Sequence, residues 1–92
     1  MEIKHRKLDQ KGEFYIEVNG QVAAQMTYVS AGDTRIIIDH TDVGSALRGQ
    51  GAGKQLVQAA VEFARQNHLH ILPLCPFAKS VFDKTPEWKD VL

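Results

Sequence analysis

From the N-terminus to about residue 43 the chain alternates apolar and polar positions with a period of two, and beyond residue 53 the period becomes helical. Glu2 to Leu8 alternates apolar and charged residues as a short strand does, and Asp9-Gln10-Lys11-Gly12 reads as a turn. Phe14, Ile16 and Val18 line one face of a second strand. Asn19-Gly20 behind them suits a type I′ hairpin, whose two central positions need positive φ. The returning strand, Gln21 to Ser30, places Val22, Ala24, Met26 and Tyr28 on one face and Ala23, Gln25 and Thr27 on the other. Ala31-Gly32-Asp33-Thr34 turns the chain into Arg35 to Val43. Its consecutive isoleucines, Ile36 to Ile38, predict a strand covered on both faces, at the centre of the sheet.

Within Lys54 to Asn67, Leu56, Val57, Ala60, Val61 and Ala64 form a continuous apolar stripe, with Gln55, Gln58, Glu62 and Arg65 turned outward. His70 to Cys75 is a short apolar strand, and the order strand, helix, strand implies a right-handed crossover between parallel neighbours. Pro76 has no N–H for a ladder, so pairing is expected to stop at Cys75. Phe77 to Lys84 predicts a short helix with Phe77, Val81 and Phe82 as its apolar contacts. Pro86 to Leu92 opens with a proline suited to a first helical position and carries Trp88 over an edge of the core. The expected architecture is one α/β domain over residues 1–92, an antiparallel meander followed by a β-α-β crossover, with helices on the sheet faces.

Composition narrows the partners. Eleven Lys and Arg balance eleven Asp and Glu, so there is no general attraction for nucleic acid or an anionic bilayer, and any anion site must be local. No apolar run approaches the roughly 20 residues of a membrane crossing. No signal-peptide pattern opens the chain, and a cytoplasmic location is the expectation. The single cysteine, Cys75, cannot close an internal disulfide. The four histidines and this cysteine lack metal-ligand spacing: His68 and His70 lie two apart beyond a helix end and His5 stands alone, so no metal is expected.

The chemistry concentrates in Arg48-Gly49-Gln50-Gly51-Ala52-Gly53, between the last meander strand and the long helix. The first amides of a helix have no partner within it and the macrodipole adds partial positive charge, so a glycine-rich turn at this point can hold a phosphate. Gly51 and Gly53 leave the anion room to approach, or permit a positive φ. A P-loop would need glycine at position 48 and Ser or Thr after Lys54, where Arg48 and Gln55 stand. The dinucleotide fingerprint would need glycine in place of Lys54 and a leading βαβ unit.

The spacing of Arg48, Gly51 and Gly53 resembles instead the acetyl-coenzyme A loop of the GCN5-related N-acetyltransferases. Asp39-His40-Thr41-Asp42-Val43 before it and Leu74-Cys75-Pro76-Phe77-Ala78-Lys79 after the helix resemble the short single-domain branch of that family with a Cys-Pro-Phe motif, over nearly the whole chain. The resemblance implies transfer of an acetyl group from acetyl-coenzyme A to an amine: a protein lysine, an N-terminus or a small amine. Arg48, Gly49, Gln50, Gly51, Ala52, Gly53 and Lys54 would hold the coenzyme, with backbone amides near Thr41 to Val43 as donors to the thioester carbonyl. Typical members protonate the leaving thiolate with a tyrosine on the helix after the fifth strand, and Phe77 to Lys84 contains none. In the short branch a cysteine stands in the position of Cys75.

Cys75 and His40, both near the ends of what would be parallel strands, are the candidate catalytic residues, expected to converge on one cleft. A thiol near a helix N-terminus and an imidazole becomes a nucleophile. It could accept the acetyl group, or act only as proton donor to the leaving coenzyme. Buried, it is a small hydrophobe. His40 suits a general base or a hydrogen-bonded strand residue. Asp39 is read as a surface carboxylate on the opposite face, and Arg48 and Lys79 have solvated alternatives. Larger members wall the acceptor pocket with two helices between their first two strands. Here Asp9 to Gly12 alone fills that interval, so the acceptor site is expected to be open. A coenzyme-binding module or sensor without turnover is the alternative that the missing tyrosine motivates, and a small interaction domain with a merely tight glycine turn is a third.

Overall fold

The computed structural model describes residues 1–92. Five strands, β1 (Lys4–Leu8), β2 (Lys11–Val18), β3 (Gln21–Ala31), β4 (Arg35–Val43) and β5 (His70–Pro73), form one sheet in the order β1-β2-β3-β4-β5, antiparallel except for the parallel β4–β5 pair. Helix α1 (Ala52–Asn67) makes the crossover, α2 (Pro76–Lys84) follows β5, and short 3₁₀ turns occupy Ser45–Leu47 and Pro86–Val91. The Asn19-Gly20 hairpin adopts positive φ at both residues, 54° and 79°, as a type I′ turn requires.

One face of the sheet carries the core. Phe14, Ile16, Ala24, Met26, Tyr28, Ile36, Ile38 and Ile71 are buried with Leu56, Val57, Ala60, Val61 and Ala64 of α1 and Ala78, Val81 and Phe82 of α2, and Trp88 and Val91 close the same cluster. The strand with three isoleucines is therefore fourth of five and not central. Ile36 and Ile38 face the helices, while Ile37 between them is only half-buried on a face the helices leave open. Val22 departs from its expected face for a comparable reason. A β-bulge between Ile16 and Glu17 pairs Glu17 with Val22 and drops Ala23 from the ladder, leaving Val22 exposed while Ala24, Met26 and Tyr28 stay inside. The tight turn after β1 is Asp9-Gln10, so Gly12 belongs to β2. Pairing along β5 ends at Pro73 and not at Cys75, since Leu74 and Cys75 both direct their amides to one carbonyl, that of Ile38.

At one end of the core, His5 stacks on Phe14 with ring centroids 4.3 Å apart, meets Phe63 edge-on, and places Nε2 2.5 Å from the Tyr28 hydroxyl. Part of the imidazole surface reaches solvent, yet burial, helped by the Lys7 charge, holds its pKa below the ordinary value. Because the folded value is the lower one, the stability tied to neutral His5 is complete above the unfolded pKa of about 6.5 and is lost as pH falls below it. Denaturant titrations at pH 7 and pH 5 should show a larger loss for the wild type than for His5→Phe, which keeps the stack but cannot titrate. Equal losses would remove His5 as the source. At the same C-terminal end of α1, Arg65 grips Asp90 at 2.7 Å and the Glu87 carbonyl at 2.9 Å, tying the C-terminal turn to the helix.

Candidate active site

Where β5 stops pairing, β4 goes on. Ile38 is the last β4 residue in register with β5, so residues 39–43 diverge from the chain at 74–78 and the sheet splays. A second β-bulge sits at this point. Thr27 pairs with His40 and Tyr28 with Ile38, leaving Asp39 as the extra residue, its carboxylate accepting a 2.5 Å hydrogen bond from the Thr27 hydroxyl. The bulge shifts the alternation of β4 by one. Thr41, opposite the buried Met26, now faces the helices, and His40, opposite Thr27, faces the open side.

The predicted convergence of His40 with Cys75 is therefore not what the fold delivers: His40 is exposed on the far face. Cys75 is buried at the N-cap of α2, and its sulfur lies 3.4 Å from the Thr41 hydroxyl. Burial pushes this thiol up. The Thr41 hydroxyl and the amides of Ala78, Phe77 and Thr41 outweigh it and hold the thiol below its ordinary range, although no amide is close enough to count as a formed helix cap. Pro76 at the first helical position keeps the next two amides directed at the N-cap. Such donors ease the loss of the thiol proton.

The glycine loop lies at the N-terminus of α1 as the sequence indicates. Gly49 and Gly51 have φ of 77° and 74°, and nothing stands within 4 Å of where a Cβ would be, so the loop is both left-handed and open. Gly51 is the N-cap, no side chain caps the helix, and α1 begins at Ala52, two residues before the expected Lys54. The amides of Ala52, Gly53 and Lys54 thus have no helical partner. Gly53 is helical and serves another purpose than Gly51: a Cβ there would run into the Phe77 ring, so the absent side chain lets α2 approach α1. Arg48 is exposed, its Nε 3.5 Å from the Val43 carbonyl. Gln50 donates to the Ala46 carbonyl at 3.2 Å, and the exposed Lys54 ammonium lies 5.9 Å above the Trp88 ring. Val43 is half-buried against the core opposite Ala24.

These residues fit a phosphate-bearing ligand, with three unpartnered amides, a macrodipole and a left-handed glycine that presents no bulk. No three His, Cys, Asp or Glu side chains gather in metal-binding fashion, and no helix is long and apolar enough to cross a membrane. One surface groove, about 540 Å³, runs over Arg6, Lys11, Glu13 and Asp39 on the open sheet face and includes neither Cys75 nor the glycine loop. Another, about 510 Å³, adjoins the loop at Gly44, Ser45 and Ala46 and is bordered by Asp42 and Gln25. Sequence reading missed Thr41 as the sulfur's neighbour, because simple alternation assigns that face to His40.

Known proteins share this fold. A solved structure of a GCN5-like protein from Staphylococcus aureus is 42% identical, with a TM-score of 0.74 and coverage of 98% of this chain and 85% of that one. Protein NATD1 of Mus musculus is 28% identical over 78 residues, which span 84% of this chain and 71% of the relative. The ribosomal-protein-S18-alanine N-acetyltransferase of Escherichia coli superimposes with a TM-score of 0.69 at 14% identity, a likeness of fold alone, and this chain spans 53% of its length. Residues 13–91 match the family model of the GCN5-related N-acetyl-transferases, and with the splayed β4–β5 pair and the uncapped glycine loop in place, the chain belongs to that family.

Proposed function

We propose that this protein transfers an acetyl group from acetyl-coenzyme A to an amine, assisted by Cys75. The observation that carries the reading is the placement of Cys75 and Thr41 at the splay of β4 and β5, on the face covered by the helix whose uncapped N-terminus fits a phosphate. Arg48 to Lys54 would hold the coenzyme through backbone amides. Bound there, acetyl-coenzyme A supplies an activated thioester. The Thr41 amide, directed into the splay, is the donor suited to a carbonyl oxygen. The Cys75 thiolate can attack the thioester carbonyl, releasing coenzyme A as its thiolate, after which the acceptor amine attacks the acyl-cysteine and the sulfur leaves. Alternatively, the amine attacks the thioester directly and the Cys75 thiol gives its proton to the departing coenzyme. With no helices between β1 and β2, the acceptor site is open and suits a protein side chain or a loosely held amine.

Intact mass of the chain incubated with acetyl-coenzyme A, recorded under native and then denaturing conditions, separates the routes. The expected result is a native complex and a denatured chain that carries one acetyl group, absent in Cys75→Ala. A complex without the covalent adduct would point to direct transfer, or to a binding module if no amine is then acetylated. No complex at all would sink the proposal.

A further inference from the structure

We propose that Thr41 is the positioning residue of the Cys75 thiol: its hydroxyl, carried to the helix-covered face by the bulge at Asp39, holds the sulfur at the splay of β4 and β5. This rests on the reading of Cys75 as the acetyl-handling group. Three observations bring it about. The two side chains lie 34 residues apart in sequence and 3.4 Å apart in space, and the hydroxyl is the sulfur's one side-chain hydrogen-bond partner. Cys75 is buried, so no water replaces a lost partner freely. Threonine is branched at Cβ and stiff at χ1, so a strand fixes where its oxygen stands.

The contact outlasts ionisation by reversing. The neutral thiol donates to Oγ1, and after the proton leaves, the same hydroxyl donates back to the sulfur anion, a stronger bond than the first. The groups facing the sulfur are the Thr41 hydroxyl and amide from β4 and the amides of Phe77 and Ala78 from α2, none of them charged. Lys79 is exposed one turn along α2, and Asp39, His40 and Asp42 are exposed on β4, with His40 and Asp42 on its other face. The thiolate is thus supported by neutral donors alone, and removing one is felt directly. Valine has the shape of threonine without the hydroxyl.

Iodoacetamide alkylation of Cys75, followed by mass across pH in the full chain, tests this without an acetyl donor. Thr41→Val should raise the pH midpoint of alkylation by about one unit and slow the reaction at pH 7 by roughly tenfold, as the loss of one charge-assisted hydrogen bond implies. Thr41→Ser, which keeps the hydroxyl, should restore the midpoint, and thermal melts check that both variants fold. An unchanged midpoint in Thr41→Val overturns the proposal, as does a Thr41→Ser midpoint displaced as far as that of valine. Should Thr41→Val not fold, Thr41→Ala enters the same assay with the same two outcomes. A wild type that binds no acetyl-coenzyme A would remove the functional reading and leave the thiol result standing, whereas an unmoved midpoint in a chain that still takes up the acetyl group would do the reverse.

Discussion

Gly51→Asp should abolish coenzyme A binding and leave the fold standing. Gly51 caps α1 in a left-handed conformation with φ 74°, and its missing Cβ faces open space, so aspartate meets no clash there. The conformational strain is modest, because aspartate enters this region more readily than most residues. Its carboxylate, however, sits beside the unpartnered amides of Ala52, Gly53 and Lys54, supplies the anion they lack, and repels a phosphate arriving from outside. Loss of even one or two charge-assisted hydrogen bonds to phosphate removes about 3 kcal/mol, roughly a hundredfold in affinity. Calorimetric titration with coenzyme A should therefore show no binding at concentrations that saturate the wild type, with a melting temperature within a few degrees of it. Retained affinity would mean that the loop is only a turn.

A larger effect on stability is expected from a glycine that looked like part of a turn. Gly12 lies in β2 opposite Tyr28, and a Cβ at this position would occupy the space of the phenol's ring carbons and hydroxyl. Tyr28 cannot step aside. It is almost wholly buried, touches Phe14 and Phe63, and has its hydroxyl held by His5. Gly12→Ala should thus cost about 3 kcal/mol, at the upper end of overpacking, and lower the melting temperature by roughly 15 °C in a domain of this size. A melt within about 3 °C of the wild type would show that the phenol has room to move.

Periodicity made most of the fold readable. The meander, the I′ hairpin at Asn19-Gly20, the apolar stripe of α1 and the parallel crossover are local patterns, and the structure contains each of them. Both bulges escaped the reading, because one extra residue in a strand leaves composition and alternation unchanged on either side of it. The bulge at Glu17 only turned Val22 outward. The bulge at Asp39 mattered more, since it exchanged His40 for Thr41 beside Cys75. The left-handed, uncapped glycine turn at the start of α1 was legible because its requirement belongs to the backbone. The purposes of Gly12 and Gly53 were not, because each is defined by an aromatic ring distant in sequence, Tyr28 and Phe77.

The order of strands across the sheet is the order of strands along the chain. Each new strand meets an edge that its predecessor has just completed, so the antiparallel part assembles by closing short loops, whose entropic cost is small. Only the last pair, β4 with β5, must wait for an intervening segment, and that segment is a helix with a strong apolar stripe that can condense on the meander beforehand. The one pairing in the sheet that spans a long stretch of chain is that of β4 with the four-residue β5. That same pairing brings Cys75 up to Thr41, so the candidate active site hangs on the one strand contact that no short loop closes.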